Sequence, residues 1–180
     1  TWPTMRRTLG RLGISETEFI RQCDASFKQG TRFDGWHTGA TADRYYHPFS
    51  LPLGYTTTSL IPNWQAHRRA ISFADALSVQ SHICERGLAP KQSGTPEYAA
   101  VVNYGYHLDA GKFSQMLQKH CTEVLGVRHI LDHVTGINAA DNGDIVSLDS
   151  KQHGVIEGDL FVDCTGFASL LLGKHYGVPF

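Results

Sequence analysis

The stretch GDLFVDCTG, residues 158–166, decides the fold class. Leu160, Phe161 and Val162 form a short apolar run between Asp159 and Asp163, a pattern that predicts a short buried strand. Gly166 then allows a turn, and the apolar residues behind it predict a helix. A buried strand that passes through glycine into a helix belongs to α/β architecture, in which helices cover a sheet.

Upstream of that stretch the second half of the chain is regular. Asp109 is placed as an N-cap, and Phe113, Met116, Leu117, Cys121, Val124 and Leu125 fall on one face of the helix behind it. Gly126 is predicted to end that helix, because glycine accepts the left-handed conformation found at helix C-termini. Residues 127–150, VRHILDHVTGINAADNGDIVSLDS, predict a short apolar strand, a longer one, a hairpin turn at Asn142-Gly143 and a returning strand. KQHG then turns the chain back toward GDLFVDCTG.

The first half is less even. Residues 4–12 and 16–23 carry helical patterns separated by LGIS, and Ser15 with Glu18 has the spacing of a capping box. Residues 25–36, ASFKQGTRFDGW, alternate in the manner of one strand. Residues 37–54, HTGATADRYYHPFSLPLG, predict a long loop, and loops of that length are often functional. Residues 64–86 predict mostly helix, 87–97 a second loop and 98–108 a strand. There are no internal repeats, and no boundary sets off a second domain.

A chain of 180 residues suits one domain with a sizeable core. With a formal net charge of −1 it has no basic field to attract nucleic acid. Its apolar runs are too short to span a bilayer, and its start lacks the apolar core of a signal peptide. Four scattered cysteines suit free thiols in a reducing compartment. The expectation is a cytoplasmic protein with neither nucleic acid nor membrane as a partner. His129 and His133 are four apart, but they flank a β-rich stretch and have no third ligand, so no metal site is expected. The chain opens at TWPTM and stops at GKHYGVPF, just after a helical pattern, which predicts a segment cut from something longer.

The order of helix, GV, short strand, hairpin and GDLFVDCTG resembles the later part of the FAD-dependent monooxygenase fold. TWPT, LGIS, FKQGTRFDGW and YYHPF narrow the match: together they resemble the flavin-dependent tryptophan halogenases, over essentially the whole chain. The resemblance implies an α/β, FAD-dependent monooxygenase-like (Rossmann-type FAD-binding) fold with a helical and loop substrate-binding insertion. Residues 1–100 would form the substrate and halogenation region, and 101–180 part of the FAD-binding region. Lys28 takes the position of the catalytic lysine, His47 and Phe49 those of the aromatic pair around the indole ring, and Thr31 that of a further pocket residue. Thr1 would follow the flavin loop, Ile130 would meet the adenine end of FAD through its backbone, and Gly166 would allow the dinucleotide to approach. The GxGxxG fingerprint is expected upstream of Thr1, and the WxWxIP signature and a catalytic glutamate downstream of Phe180.

By the same resemblance, FAD is used in its reduced form, FADH2, delivered by a separate flavin reductase. With molecular oxygen it turns a halide ion, chloride or bromide, into hypohalous acid; a homodimer is the candidate assembly. Lys28 would donate a hydrogen bond to that acid or, as a free amine, form a haloamine. The amine route needs desolvation, for which Phe27, Phe33 and Trp36 are the expected surroundings. The loop before His47 is short and small-residued, so tryptophan, indole and indole derivatives all remain as the small aromatic substrate. The alternatives are a flavin-dependent aromatic monooxygenase of the same fold that hydroxylates its substrate, and a non-catalytic truncated module.

Overall fold

The computed structural model describes residues 2–179, in two compact units that divide between Gly126 and Val127. In the first unit, helices α1 (Met5–Arg11) and α2 (Glu16–Gln22) direct Leu9 and Phe19 inward, while Ile14 and Cys23 close the gaps beside them. These side chains meet Tyr104 and Tyr106, and the six together form the buried core. Phe19 packs edge-on against Tyr106 at 4.8 Å and against Phe113 at 5.6 Å. Each large apolar side chain removed from water contributes about 1.5–3 kcal/mol, so this cluster anchors the unit.

Phe113, Met116 and Leu117 pack on that core from α3 (Ala110–Lys119), as their spacing predicts. Asp109 caps this helix, accepting the Lys112 N–H at 3.0 Å. The helix then widens into a π turn over His120–Val124, and Val124 and Leu125 are exposed rather than continuing the apolar face. Gly126 follows with φ 68°, the conformation expected of it. At α2, Ser15 accepts the Glu18 N–H as a capping residue should. The other bonds to this first turn come from Glu97, which accepts from Ser15 Oγ and from the N–H groups of Glu16 and Thr17.

The predicted strand over 25–36 is two strands in different sheets, broken at Gln29. Strand β1 (Ser26–Lys28) pairs antiparallel with β2 (Gly105–His107), Lys28 opposite Gly105. Strand β3 (Gly30–Asp34) pairs antiparallel with β4 (Arg44–Pro48), a strand inside the segment expected to be loop. Of the strand predicted over 98–108 only β2 forms. Upstream of it, backbone groups are taken by other partners: the Val101 and Val102 N–H groups by Pro90 O, and the Asn103 backbone by Ser50 and Gln80. The helical stretch at 64–86 breaks into short helices, Ile61–Gln65, Phe73–Leu77 and α4 (Val79–Glu85), because Ser72 and Ser78 each cap a new start.

The second unit is built on a meander of β5 (Val134–Ala139), β6 (Ile145–Ser150) and β7 (Gly154–Glu157), all antiparallel. The Asn142-Gly143 hairpin forms as predicted, with Gly143 at φ 91° and Asn142 Oδ1 accepting the Asp144 N–H. The short strand predicted at 127–131 does not form, nor does the buried strand at Leu160, Phe161 and Val162. Leu131, Leu160 and Val162 are 84%, 83% and 77% exposed. No described strand lies beside either segment, and an apolar run becomes a buried strand only where a neighbour takes up its backbone groups. Beyond Gly166 the chain does coil, first over Gly166–Ala168 and then in π turns over Leu170–His175.

Candidate functional site

The break at Gln29 is what assembles the site. Lys28 ends β1, and one residue later Gly30 begins β3 directly against β4. A Cβ on Gly30 would stand 2.5 Å from the His47 carbonyl oxygen and 3.0 Å from Pro48 Cα, so only glycine admits this approach. Pro48 has no N–H to offer and lies opposite Gly30 at the end of the ladder. Pairing resumes one step later, where the Phe49 N–H donates to Gln29 O at 3.1 Å. The break at Gln29 thus leaves the residue before it, Lys28, near the residue after β4, Phe49. The Lys28 ammonium lies 5.7 Å from the centroid of the Phe49 ring.

Register supplies the rest. Thr31 is paired directly with His47, so their side chains share one face of the ladder, and Phe49 follows just past the strand. Phe33 and Tyr45, the next pair on that face, stack at 5.0 Å with 15° between the rings, and Trp36 meets Phe33 edge-on at 5.8 Å. The opposite face is charged: Arg32 and Arg44 approach Glu85 of α4 at 3.9 and 3.8 Å, and Tyr46 donates to the same carboxylate at 2.6 Å. Burial and the Glu85 carboxylate push the Tyr46 phenol above its ordinary value. One side of the hairpin is thus fastened to α4, and the other presents His47 and flat rings.

Lys28 is half-buried, as is Phe49, while Thr31 and His47 are exposed. The aromatic surroundings of Lys28 differ from expectation. Phe27 turns away to pack on Tyr104 at 5.0 Å, as strand alternation requires, and Trp36 is 75% exposed. Phe49 is the ring recorded beside the ammonium. The loop between β3 and β4 is closed by Asp43, which accepts the N–H groups of His37 and Thr38, and whose own carbonyl accepts the Gly35 N–H at 2.6 Å.

The candidate cofactor residues belong to the second unit. Ile130 is half-buried in a segment without regular structure. Gly166 has φ 60°, and a Cβ added there would meet nothing within 4 Å. Open space around a left-handed glycine is found at several other turns of this chain, Gly13 and Gly126 among them. Asp163 fixes the turn behind Gly166 by accepting from Thr165 and from the Leu171 and Leu172 N–H groups. Thr1 lies outside the described residues. Among the described residues no group of three or more His, Cys, Asp or Glu could hold a metal ion, and no helix is long and apolar enough to cross a membrane.

Sequence reasoning missed β4 and the side chains that support it. The alternation of RYYHP is a strand signal that proline obscures. Gln80 and Asn103, which hold the backbone next to Phe49, carry no such signal: a glutamine on a short helix reads as surface.

The sequence profile of the tryptophan halogenase family matches residues 1–180. The chain is 32% identical over 184 residues to the tryptophan 7-halogenase RebH of Lentzea aerocolonigenes, a match that covers 94% of the chain and 34% of that protein. Its fold is similar to the crystal structure of a tryptophan halogenase from Shewanella frigidimarina NCIMB 400, with TM-score 0.94 and 53% identity, covering 100% of this chain and 35% of that one. It is also similar to BrvH, a flavin-dependent halogenase from Brevundimonas sp. BAL3, with TM-score 0.84 and 31% identity, covering 100% of this chain and 37% of that one. The chain spans about a third of the length of the relatives it matches. The mixed α/β architecture and these neighbours bear out the expected fold class.

Proposed function

The chain belongs to the tryptophan halogenase family, and from that membership together with the Lys28–Phe49 geometry we propose that its protein halogenates an indole-type aromatic substrate: tryptophan, indole or a derivative. Residues 1–100 carry the substrate and halogenation region, and 101–180 contribute to the FAD-binding region, with Thr1, Ile130 and Gly166 as the positions that meet the cofactor. Bound FAD, reduced by a separate flavin reductase, supplies the oxygen chemistry that converts chloride or bromide into hypohalous acid.

The observation that carries the proposal is the ammonium of Lys28 set 5.7 Å from the Phe49 ring, with His47 two residues before Phe49 and Thr31 paired to His47. A ring face attracts a cation by about 0.5–1 kcal/mol at an exposed site, which favours the ammonium lying beside Phe49. From there its N–H donates to the oxygen of hypohalous acid and polarises the halogen toward the substrate. The substrate carbon then bonds to the halogen as the halogen–oxygen bond breaks, the departing hydroxide takes a proton from the Lys28 ammonium and leaves as water, and the proton that the ring gives up restores the ammonium. His47 and Phe49 hold the flat substrate by stacking worth about 0.5–1.5 kcal/mol beyond area burial. Their larger effect is orientation: they determine which ring carbon faces Lys28.

The test is Lys28→Ala in the full-length protein, supplied with FAD, a flavin reductase and halide. Halogenated product should fall by at least about 10²-fold, the usual worth of a positioned donor, while flavin reoxidation continues at the wild-type rate. Normal halogenation by this variant would remove Lys28 from the reaction. A product that gains oxygen in place of halogen would assign the fold to hydroxylation.

A further inference from the structure

Phe49 lies just beyond the last residue of β4, and both its N–H and its carbonyl are hydrogen-bonded. Its N–H goes to Gln29 O, and its carbonyl accepts from Asn103 Nδ2 at 3.1 Å. The next N–H, that of Ser50, donates to Gln80 Oε1 at 2.7 Å, and Ser50 Oγ accepts the Asn103 N–H at 2.8 Å. Gln80 Nε2 closes the circuit by donating to Asn103 O at 2.6 Å. Gln80 is fully buried at 0% exposure, and its amide orientation is dictated: only its oxygen can serve Ser50 and only its nitrogen can serve Asn103. Asn103 is oriented in turn, its Oδ1 accepting from the Tyr104 N–H and from Arg6 Nη2.

A buried amide that spends its two ends on two different segments, Ser50 and Asn103, ties them to each other, because any other arrangement orphans polar groups out of reach of water. We infer that Gln80, acting with Asn103, is a positioning residue that fixes the Phe49 ring against Lys28 and so determines which carbon of the substrate is halogenated. The inference rests on the function proposed above. Neither side chain touches the substrate in this scheme; each acts through the Phe49–Ser50 backbone.

Two shape-conserving variants test it in the full-length protein. Gln80→Met removes both bonds. Asn103→Asp keeps the acceptor for Arg6 and Tyr104 but turns a carboxylate oxygen toward the Phe49 carbonyl. With indole and tryptophan as substrates, each should raise KM by about tenfold and spread product over more ring positions, since small misplacements in a site carry rate costs of that order or larger. Hypohalous acid trapped by a scavenger in the absence of substrate should stay at the wild-type level. A merely structural role would lower trapped acid and product together, and that result overturns the inference, as do unchanged KM and regiochemistry in a folded variant. A second readout stands apart from turnover: 4-fluorophenylalanine placed at position 49 should give one sharp fluorine resonance in the parent and a broadened or split one in each variant. If the parent halogenates no indole at all, the proposed function fails. The resonance then still decides the clamp, and identical sharp lines in parent and variants refute it.

Discussion

Glu16 and Asp163 are both carboxylates that gather several donors, but the donors come from opposite ranges of the chain. Glu16 is 3% exposed and accepts from Tyr104 Oη and Tyr106 Oη at 2.5 Å, and from Lys91 Nζ and the Tyr98 N–H at 2.8 Å, all of them remote in sequence. Among the described residues, Asp163 accepts from its near neighbours Thr165, Leu171 and Leu172. Around Glu16 the chain closes a core; around Asp163 it organises one turn while Val162 beside it is 77% exposed and Phe167 is 100% exposed. Local hydrogen bonds shape a segment, whereas long-range partners are what bury it.

The largest effect should come from cutting the long-range set. Burial pushes the Glu16 carboxyl up, but its bonds to Lys91, Tyr104, Tyr106 and the Tyr98 N–H outweigh burial and hold it below its ordinary value, so it is charged at neutral pH. Glu16→Ala leaves the Lys91 ammonium, whose side chain is 11% exposed, without its counter-charge, and takes away the carboxylate acceptor of two phenol hydroxyls. Removing one partner of a buried pair costs about 3–5 kcal/mol. Chemical denaturation of the protein should show a loss of that size, together with exposure of the Tyr104 and Tyr106 side chains. A loss below about 1 kcal/mol, the worth of an ordinary surface pair, would erase the contrast between the two carboxylates.

Cutting the local set should leave the fold standing. The Thr165 hydroxyl, the Thr165 N–H and the Leu171 N–H are the main groups that hold the Asp163 carboxyl down at about 2. Asp163→Ala should raise hydrogen exchange at Leu171 and Leu172 by about tenfold, as local opening does, with the midpoint of global unfolding nearly unmoved. Global destabilisation as large as that from Glu16→Ala would show that this turn belongs to the core after all.

The same distinction separates what could be read in the sequence from what could not. Phe113, Met116 and Leu117, the Asp109 cap and the Asn142-Gly143 hairpin were legible because each rests on residues a few positions apart. Strand β4 escaped notice because its evident punctuation, Pro48, marks the end of a ladder rather than a loop. The run at Leu160–Val162 was read as buried because apolar composition predicts burial without saying what pairs with it. Lys28, His47, Phe49 and Thr31 are candidates by likeness to a family and not by any local pattern. Their proximity comes from Gly30, whose close approach to His47 no periodicity encodes. Gln80 and Asn103 were invisible, since a buried amide and a surface amide look alike in sequence.

Glu97 gives the smallest effect and the sharpest test, because its partners are remote, like those of Glu16, but it is exposed. Bonds from the Thr17 hydroxyl and N–H, from the Ser15 hydroxyl and from the Glu16 N–H lower its carboxyl from 4.5 to about 2. A carboxyl depressed in the folded state stabilises above its unfolded pKa and ceases to do so as pH falls through the folded one. The contribution is therefore complete above about pH 4.5 and disappears toward pH 2. Glu97→Gln keeps an acceptor at the start of α2 but removes the charge that favours a helix N-terminus, and in an exposed setting this should lower Tm by about 1–2 °C at pH 7. Across that pH window the gap between parent and variant should close, because the parent's protonated carboxyl then matches the amide. A gap that persists undiminished at pH 2 would mean that the charge contributes nothing and that the shape of the cap alone stabilises α2. A gap several times larger at pH 7 would mean that remote partners, not burial, set the worth of a carboxylate in this chain.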